Sequence, residues 1–129
     1  MKLLLDTSAF LWYLNGDSKL PKSVVSAVRS PDNDVWLSAV SLWEIVVKHA
    51  LGKLPLPESP SSYIPTQRKL HAFDTLPLEE PAIVHLAKLP EHHRDPFDRM
   101  LICQAIEHEM LLTTSDVRIL EYPVKTFWG

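Results

Sequence analysis

Four acidic side chains stand where strand-like segments end or helix-like segments begin: Asp6, Glu44, Asp98 and Asp116. In an open parallel sheet, ligands bind beyond the carboxyl ends of the strands, where strand-to-helix loops and helix N-termini meet. We therefore expect the four carboxylates to face one edge of a sheet. Carboxylates gathered in this way repel one another unless a cation lies among them. Because all the ligands are oxygen atoms, the set favours Mg²⁺ or Mn²⁺ over Zn²⁺.

Metal ions held by such a cluster suit the hydrolysis of phosphodiesters. Two ions can activate a water molecule and stabilise the oxygen that leaves. Basic side chains near the acids, Lys48, Arg94 and Arg99, are available to hold a phosphate. An equally good explanation is that they lie on a solvated face or pair with the acids themselves.

Two of the acids also have a purely structural explanation as helix caps. Ser41 and Glu44 match the capping box, in which a serine and a glutamate satisfy free backbone donors at a helix start. Asp95-Pro96 has the pattern of an N-cap followed by proline at the first helical position, and Asp98 in that first turn favours the helix dipole. Either residue taken alone is therefore weak evidence of a site.

The other two acids differ in how easily structure explains them. No periodic helix begins early enough after Asp6 to make it an ideal cap, so a functional role is favoured there. Asp116 could cap a short turn over residues 117–120. Only the joint placement of the four acids predicts a cation site.

The segments that must position these acids alternate between strand-like and helix-like patterns. We predict strands at 2–5, 35–37, 73–76, 111–114 and 124–127. We predict helices at 9–14, 21–30, 41–51, 79–89 and from 95 onward, and a short one at 61–70. The proline-rich segment 54–65 predicts an irregular connection. Such alternation indicates an α/β fold with a parallel sheet covered by helices on both faces.

The composition is that of a soluble globular protein. A length of 129 residues suits a single domain over 1–129, and 46% apolar and 22% charged residues exclude a disordered or fibrous chain. A net charge of −3 argues against a basic coat for nucleic acid, but bound metal would reverse the local sign that a phosphate meets. We expect no signal peptide and no membrane span, because Lys2 and Asp6 interrupt the apolar N-terminus. With one cysteine, Cys103, a cytoplasmic location is expected.

Other chemistry-bearing residues predict less. The His92-His93 pair indicates a loop rather than a metal site, because adjacent side chains tend to point apart and no third ligand has suitable spacing. Cys103 has the pattern of a core residue. Three glycines cannot make a glycine-rich phosphate loop. The four tryptophans could stack on RNA bases, but core or subunit contacts are the favoured explanation.

The blocks that carry the acids resemble those of a known family. Leu-Leu-Leu-Asp6-Thr-Ser-Ala-Phe-Leu-Trp, Ser38-Ala-Val-Ser-Leu-Trp-Glu44-Ile, His92-His-Arg-Asp-Pro-Phe-Asp98-Arg-Met-Leu-Ile and Leu112-Thr-Thr-Ser-Asp116 resemble the PIN domain. Within it, the chain is most similar to VapC-like toxins of toxin–antitoxin pairs. Any one block is weak evidence, whereas four in this order are specific.

The resemblance implies a three-layer α/β/α sandwich and an endoribonuclease that depends on Mg²⁺ or Mn²⁺, with one or two ions held by the four acids named above. It places Asp98, rather than Asp95, in the third acidic position, because the apolar helix that follows matches. Asp95 is then a cap, and Thr7, Ser8 and Thr114 orient ligands or water. It also implies an RNA substrate, a homodimer, and a small antitoxin whose tail covers the acidic groove.

Two other functions compete with the nuclease. A non-catalytic PIN-like module would bind RNA or a protein without cleaving, although the complete acidic set argues against it. A phosphohydrolase would use Asp6 as a covalent nucleophile, but the second aspartate expected two residues later is replaced by Ser8.

Overall fold

The computed structural model describes residues 1–129 as alternating strands and helices. The strands are β1 (Lys2–Leu5), β2 (Asp34–Ser38), β3 (Asp74–Leu76), β4 (Leu111–Thr113) and β5 (Thr126–Phe127). The α-helices are α1 (Thr7–Asn15), α2 (Lys22–Arg29), α3 (Ala39–Ala50), α4 (Pro60–Leu70), α5 (Glu80–Val84) and α6 (Pro96–Glu107). Short 3₁₀ helices occupy His85–Lys88 and Ile119–Glu121. No helix is long and apolar enough to cross a membrane.

The five strands form one parallel sheet in the order β3-β2-β1-β4-β5. The chain first adds strands on one side of β1 and then continues on the other, so the topology switches direction between β1 and β4. Leu5, at the end of β1, is in register with Leu37 of β2 and Thr113 of β4. The carboxyl ends of these three strands therefore meet at one edge, at the switch point where ligands bind in open parallel sheets.

Helices cover the sheet on both faces, because successive side chains of a strand point to opposite sides. Leu3 and Leu5 pack into a cluster with residues of α1 and α2, and Leu4 packs into a second cluster with residues of α6. All three leucines are buried. The predicted α/β fold, a three-layer α/β/α sandwich with a central parallel sheet, is confirmed.

Some helix boundaries differ from the sequence prediction. Helix α3 begins at Ala39, and the hydroxyl of Ser38 accepts the backbone N–H of Val40, so Ser38 is the N-cap. The capping box predicted from Ser41 and Glu44 is wrong. The helix predicted at 79–89 divides into α5 and the 3₁₀ helix His85–Lys88, and the irregular segment becomes helical at Pro60.

A buried glutamine ties α6 to the edge of the sheet where the switch point lies. Gln104 has no exposed surface, and its Oε1 accepts a hydrogen bond from the Ser38 hydroxyl at the end of β2. Its Nε2 donates to the carbonyl of Pro77, just after β3, at 3.2 Å. The glutamine therefore fixes α6 against the carboxyl ends of two strands.

Replacing Gln104 by leucine, which has a similar volume, is expected to destabilise the protein by about 1–3 kcal/mol. The substitution leaves the buried Ser38 hydroxyl and the Pro77 carbonyl without these partners. Urea denaturation followed by circular dichroism measures the change. Gln67→Leu, at a half-buried position of α4, is the matched control. Equal effects of the two substitutions would contradict the role given to Gln104.

Candidate metal centre

A polar cavity of about 320 Å³ lies at the carboxyl edge of the sheet. None of the ten residues lining it is hydrophobic: Asp6, Thr7, Ser8, Glu44, Lys48, Asp95, Asp98, Ser115, Asp116 and Arg118. The structure thus brings together all four acids that the sequence singled out. Two other cavities, of about 440 and 260 Å³, have mixed polar and apolar linings and contain none of the four acids.

Asp6 is the single residue between β1 and α1. Its Oδ1 accepts the backbone N–H of Ala9 at 2.6 Å, so it is the N-cap of α1. The expectation that no helix begins early enough for Asp6 to be a cap is therefore wrong. The backbone N–H of Asp6 also donates to the carbonyl of Thr113 in β4. The cap and this hydrogen bond together fix the carboxyl group of Asp6 at the end of the central strand.

Glu44 lies in the second turn of α3, too far from the N-terminus to cap it, and is 5% exposed. The Thr7 hydroxyl donates to Glu44 Oε1 at 2.7 Å, and Lys48 one turn later pairs with Oε2. The Thr7 oxygen also lies 3.0 Å from the hydroxyl of Ser41. Thr7, at the start of α1, therefore orients an acid that a different helix supplies.

Asp98 lies in the first turn of α6, whose cap is a different aspartate. Asp95 Oδ1 accepts the backbone N–H groups of Phe97 at 2.9 Å and of Asp98 at 3.3 Å. The prediction that Asp95 caps this helix is confirmed. The carboxylate of Asp98 takes no part in the cap and is left to the cavity.

Asp116 follows β4 by three residues and is held by Arg118. Its Oδ1 accepts the backbone N–H and the Nε–H of Arg118 at 2.9 and 3.2 Å, and its Oδ2 accepts Nη2–H at 3.1 Å. Burial raises the pKa of Asp116, but these hydrogen bonds outweigh it and hold the pKa below its ordinary value. The sequence reasoning overlooked Arg118, although it stands only two residues away. Of the three basic residues it named, the cavity lining includes Lys48 but neither Arg94 nor Arg99.

His93 is the second residue that sequence reasoning missed. Its Nε2 lies 2.9 Å from Asp98 Oδ2 and 3.1 Å from Asp116 Oδ2, and the residue is 4% exposed. The expectation that adjacent histidines point apart was sound, since His92 lies outward, 3.5 Å from Glu121. The inference that the pair is only loop structure was wrong for His93. The His92-His93 pair could have predicted this placement, because adjacent side chains point apart and one of them therefore faces the interior when the other faces solvent.

The cavity holds more negative charge than it neutralises. Burial raises the pKa of Asp6 to about 6, with Glu44 and Asp116 adding to the rise against hydrogen bonds from Thr114 and Ala9. Burial, followed by the charges of Asp95 and Glu44, raises the pKa of Asp98 to about 7. These shifts show that the protein alone does not stabilise all of the carboxylates in their charged forms.

The lining fits a divalent cation of the hard type. Five carboxylates face two basic side chains, so three formal negative charges are uncompensated. The donor atoms are carboxylate and hydroxyl oxygens, the ligands that Mg²⁺ and Mn²⁺ prefer. A bound cation would stabilise the charged forms of Asp6 and Asp98, whose pKa values are raised by burial and by neighbouring acids.

Comparison with known proteins places the chain in a family. The model of the PIN domain matches residues 3–125, and the chain belongs to the PIN-domain family. A segment of 64 residues is 36% identical to Ribonuclease VapC16 of Mycobacterium tuberculosis. That segment is 50% of this chain and 43% of the relative, so the match covers less than half of the curated protein.

Solved structures share the fold at low sequence identity. The VapBC2 structure from Rickettsia felis, bound to a DNA fragment from its promoter, aligns with a TM-score of 0.73 and 14% identity over 98% of this chain and 96% of that one. A toxin–antitoxin complex from Klebsiella pneumoniae aligns with a TM-score of 0.63 and 15% identity, over 98% of each chain. At these identities the likeness establishes the shared fold.

The raised pKa of Asp98 predicts a pH-dependent stability of the protein in chelator. A carboxyl whose folded pKa exceeds the unfolded value contributes stability that is complete below about pH 4 and is lost as the pH rises through about 7. Asp98→Asn removes that ionisation. From pH 5 to pH 8 the variant should gain roughly 1–2 kcal/mol relative to the unsubstituted protein, at about 1.4 kcal/mol per pKa unit before solvent screening.

Urea denaturation in EDTA at the two pH values measures this difference. Asp74→Asn is the matched control, because Asp74 is exposed at the amino end of β3, away from the cavity. Its stability difference from the unsubstituted protein should stay constant with pH. If the Asp98→Asn difference were also constant, the raised pKa of Asp98 would be refuted.

Proposed function

We propose that this protein is a metal-dependent endoribonuclease that hydrolyses RNA phosphodiester bonds. The observation that carries the proposal is the convergence of four carboxylates, from four separate segments, on one polar cavity at the switch point of the sheet. The family membership and the partial match to a ribonuclease support the same reaction class.

In this proposal Asp6, Glu44, Asp98 and Asp116 hold one or two Mg²⁺ or Mn²⁺ ions. Bound ions supply a water molecule of lowered pKa and positive charge for the phosphate. The protein's own part is to fix the ligands before substrate arrives. Thr7 orients Glu44, and the cap on α1 orients Asp6. Such outer contacts keep ligands in place for the reaction.

Positive side chains beside the acids would position the RNA backbone. Arg118 lines the cavity with a side chain 61% exposed, so it reaches both Asp116 and solvent. Lys48, paired with Glu44, occupies another part of the lining. Because the chain carries a net charge of −3, phosphate attraction has to be local, from bound cations and these two residues.

We further propose that the protein acts as the toxin of a toxin–antitoxin pair. In this proposal residues 1–129 form a single PIN-like domain, and two copies of the chain form a homodimer. The fold shared with the toxin–antitoxin complex from Klebsiella pneumoniae supports this assignment. A partner segment laid over the cavity would block access to the acids. Cationic groups on that segment would complement the uncompensated charge of the lining.

Cleavage by Asp98→Asn and Asp6→Asn variants tests the catalytic proposal. Each substitution removes a charged ligand, and kcat should fall on the order of 100-fold or more. This loss exceeds the one expected from removing a residue that only contacts a ligand. A circular RNA is the substrate, because a product from a molecule without ends requires an endonuclease. Reactions are run with Mg²⁺, with Mn²⁺ and with EDTA.

Asp74→Asn should cleave like the unsubstituted protein and serves as the control. Chelation should abolish cleavage, and added metal should restore it. Unaltered cleavage by Asp98→Asn would remove that residue from the site. RNA retention with no product under every metal condition would instead favour the non-catalytic binding module.

The toxin assignment makes a separate prediction about a second protein. A short reading frame beside the gene should encode a protein that co-purifies with this chain and suppresses its cleavage of RNA. Analytical ultracentrifugation of the chain alone should give the mass of a dimer. If no neighbouring product binds and inhibits, the nuclease stands without the toxin role, and a monomeric mass would refute the dimer.

A further inference from the structure

We infer that His93 is a positioning residue that holds Asp98 and Asp116 as a pair, and that it is not itself a metal ligand. The inference rests on the proposed metal centre and assigns a role to a residue outside the four acids. Its basis is the placement of one buried imidazole nitrogen between two carboxylate oxygens supplied by different segments. Asp98 belongs to α6, whereas Asp116 follows β4.

The hydrogen bonds of the ring fix which nitrogen carries the proton. His93 Nδ1 accepts the backbone N–H of Asp95 at 3.2 Å, so its lone pair is in use. In an imidazole whose Nδ1 is an acceptor, the proton is on Nε2. Nε2–H therefore donates to Asp98 Oδ2 and Asp116 Oδ2, at 2.9 and 3.1 Å. A nitrogen that donates in this way has no lone pair to offer a metal ion.

The ring is held in place by the segments that it connects. The backbone N–H of His93 donates to the hydroxyl of Tyr122 at 2.8 Å, and Tyr122 is 4% exposed. Tyr122 ends the 3₁₀ helix Ile119–Glu121, in the connection between β4 and β5. The loop before α6 and the connection after β4 are thus joined beside Asp98 and Asp116.

The consequence of this arrangement is a defined orientation for Asp98. Nε2–H occupies one of its carboxylate oxygens, and the other, Oδ1, has no hydrogen bond from the protein. Without His93, the carboxylates of Asp98 and Asp116 would face each other without the donor that bridges them. Donors of this kind fix the orientation of ligating carboxylates, and losing such a partner weakens metal affinity about 10- to 100-fold.

Three variants test the role by Mn²⁺ binding without RNA, measured by electron paramagnetic resonance titration. His93→Leu fills space but has no donor, and should weaken Mn²⁺ binding about 10- to 100-fold. His93→Gln places an amide N–H near the position of Nε2 and should recover most of that affinity. His92→Ala, at the exposed neighbour, should bind Mn²⁺ like the unsubstituted protein.

Two spectroscopic measurements on the unsubstituted protein do not depend on variants that may misfold. Imidazole ¹⁵N NMR of the protein in chelator should show the His93 proton on Nε2. Pulsed electron paramagnetic resonance of the Mn²⁺ form should show no nitrogen bound directly to the metal. A proton on Nδ1, or a bound nitrogen, would overturn the inference and make His93 a ligand.

The remaining outcomes separate this inference from the proposed function. Mn²⁺ affinity unchanged in His93→Leu, with the unsubstituted protein binding Mn²⁺, would overturn the positioning role and leave the metal centre intact. Failure of the unsubstituted protein to bind Mn²⁺ or Mg²⁺ would overturn both. Equal losses in His93→Leu and His93→Gln, with both variants folded, would show that the Nε2–H donor is not what matters.

Discussion

Repulsion among carboxylates at one edge of the sheet is the constraint on which the rest of this structure depends. The parallel register brings the ends of β1, β2 and β4 together, and each of these strands is followed closely by an acid of the cavity. Burial removes the water that would otherwise screen them, and the pKa values of Asp6 and Asp98 rise. The fold therefore carries an electrostatic cost at the site, which a bound cation would offset.

The site tolerates this repulsion because each acid has its own donor. The donors are the backbone N–H of Ala9 for Asp6, the Thr7 hydroxyl for Glu44, His93 for Asp98 and Arg118 for Asp116. Two of these donors lie within three residues of their acid, whereas Thr7 reaches Glu44 from a different helix and His93 also reaches Asp116, 23 residues away. The donors close in sequence hold a carboxylate near its own backbone. The donors from distant segments fix its orientation relative to the other acids. A charge surplus and a rigid geometry can therefore coexist.

The sequence was sufficient for the sheet and the acids but not for the donors. Apolar runs and helical periodicity predict the strands and helices because they reflect burial, which is local in pattern. The start of α3 was misplaced because Ser38 and Ser41 are both good caps, and pattern alone does not choose between them. Asp6 was not foreseen as a cap because the turn from β1 to α1 is a single residue. His93 contacts Asp116 across 23 residues, a separation that no local pattern encodes.

Capping and metal binding are compatible roles at this edge. A capping carboxylate uses one oxygen for backbone N–H groups and keeps a second, and Asp6 caps through Oδ1. At α6 the roles are divided instead, since Asp95 satisfies the free amides and Asp98 is released from them. The N-termini of α1 and α6 also carry partial positive charge, which favours anionic side chains beside them. The cap at Asp6 and the helix dipoles beside Asp6 and Asp98 therefore help to hold a cluster of carboxylates together.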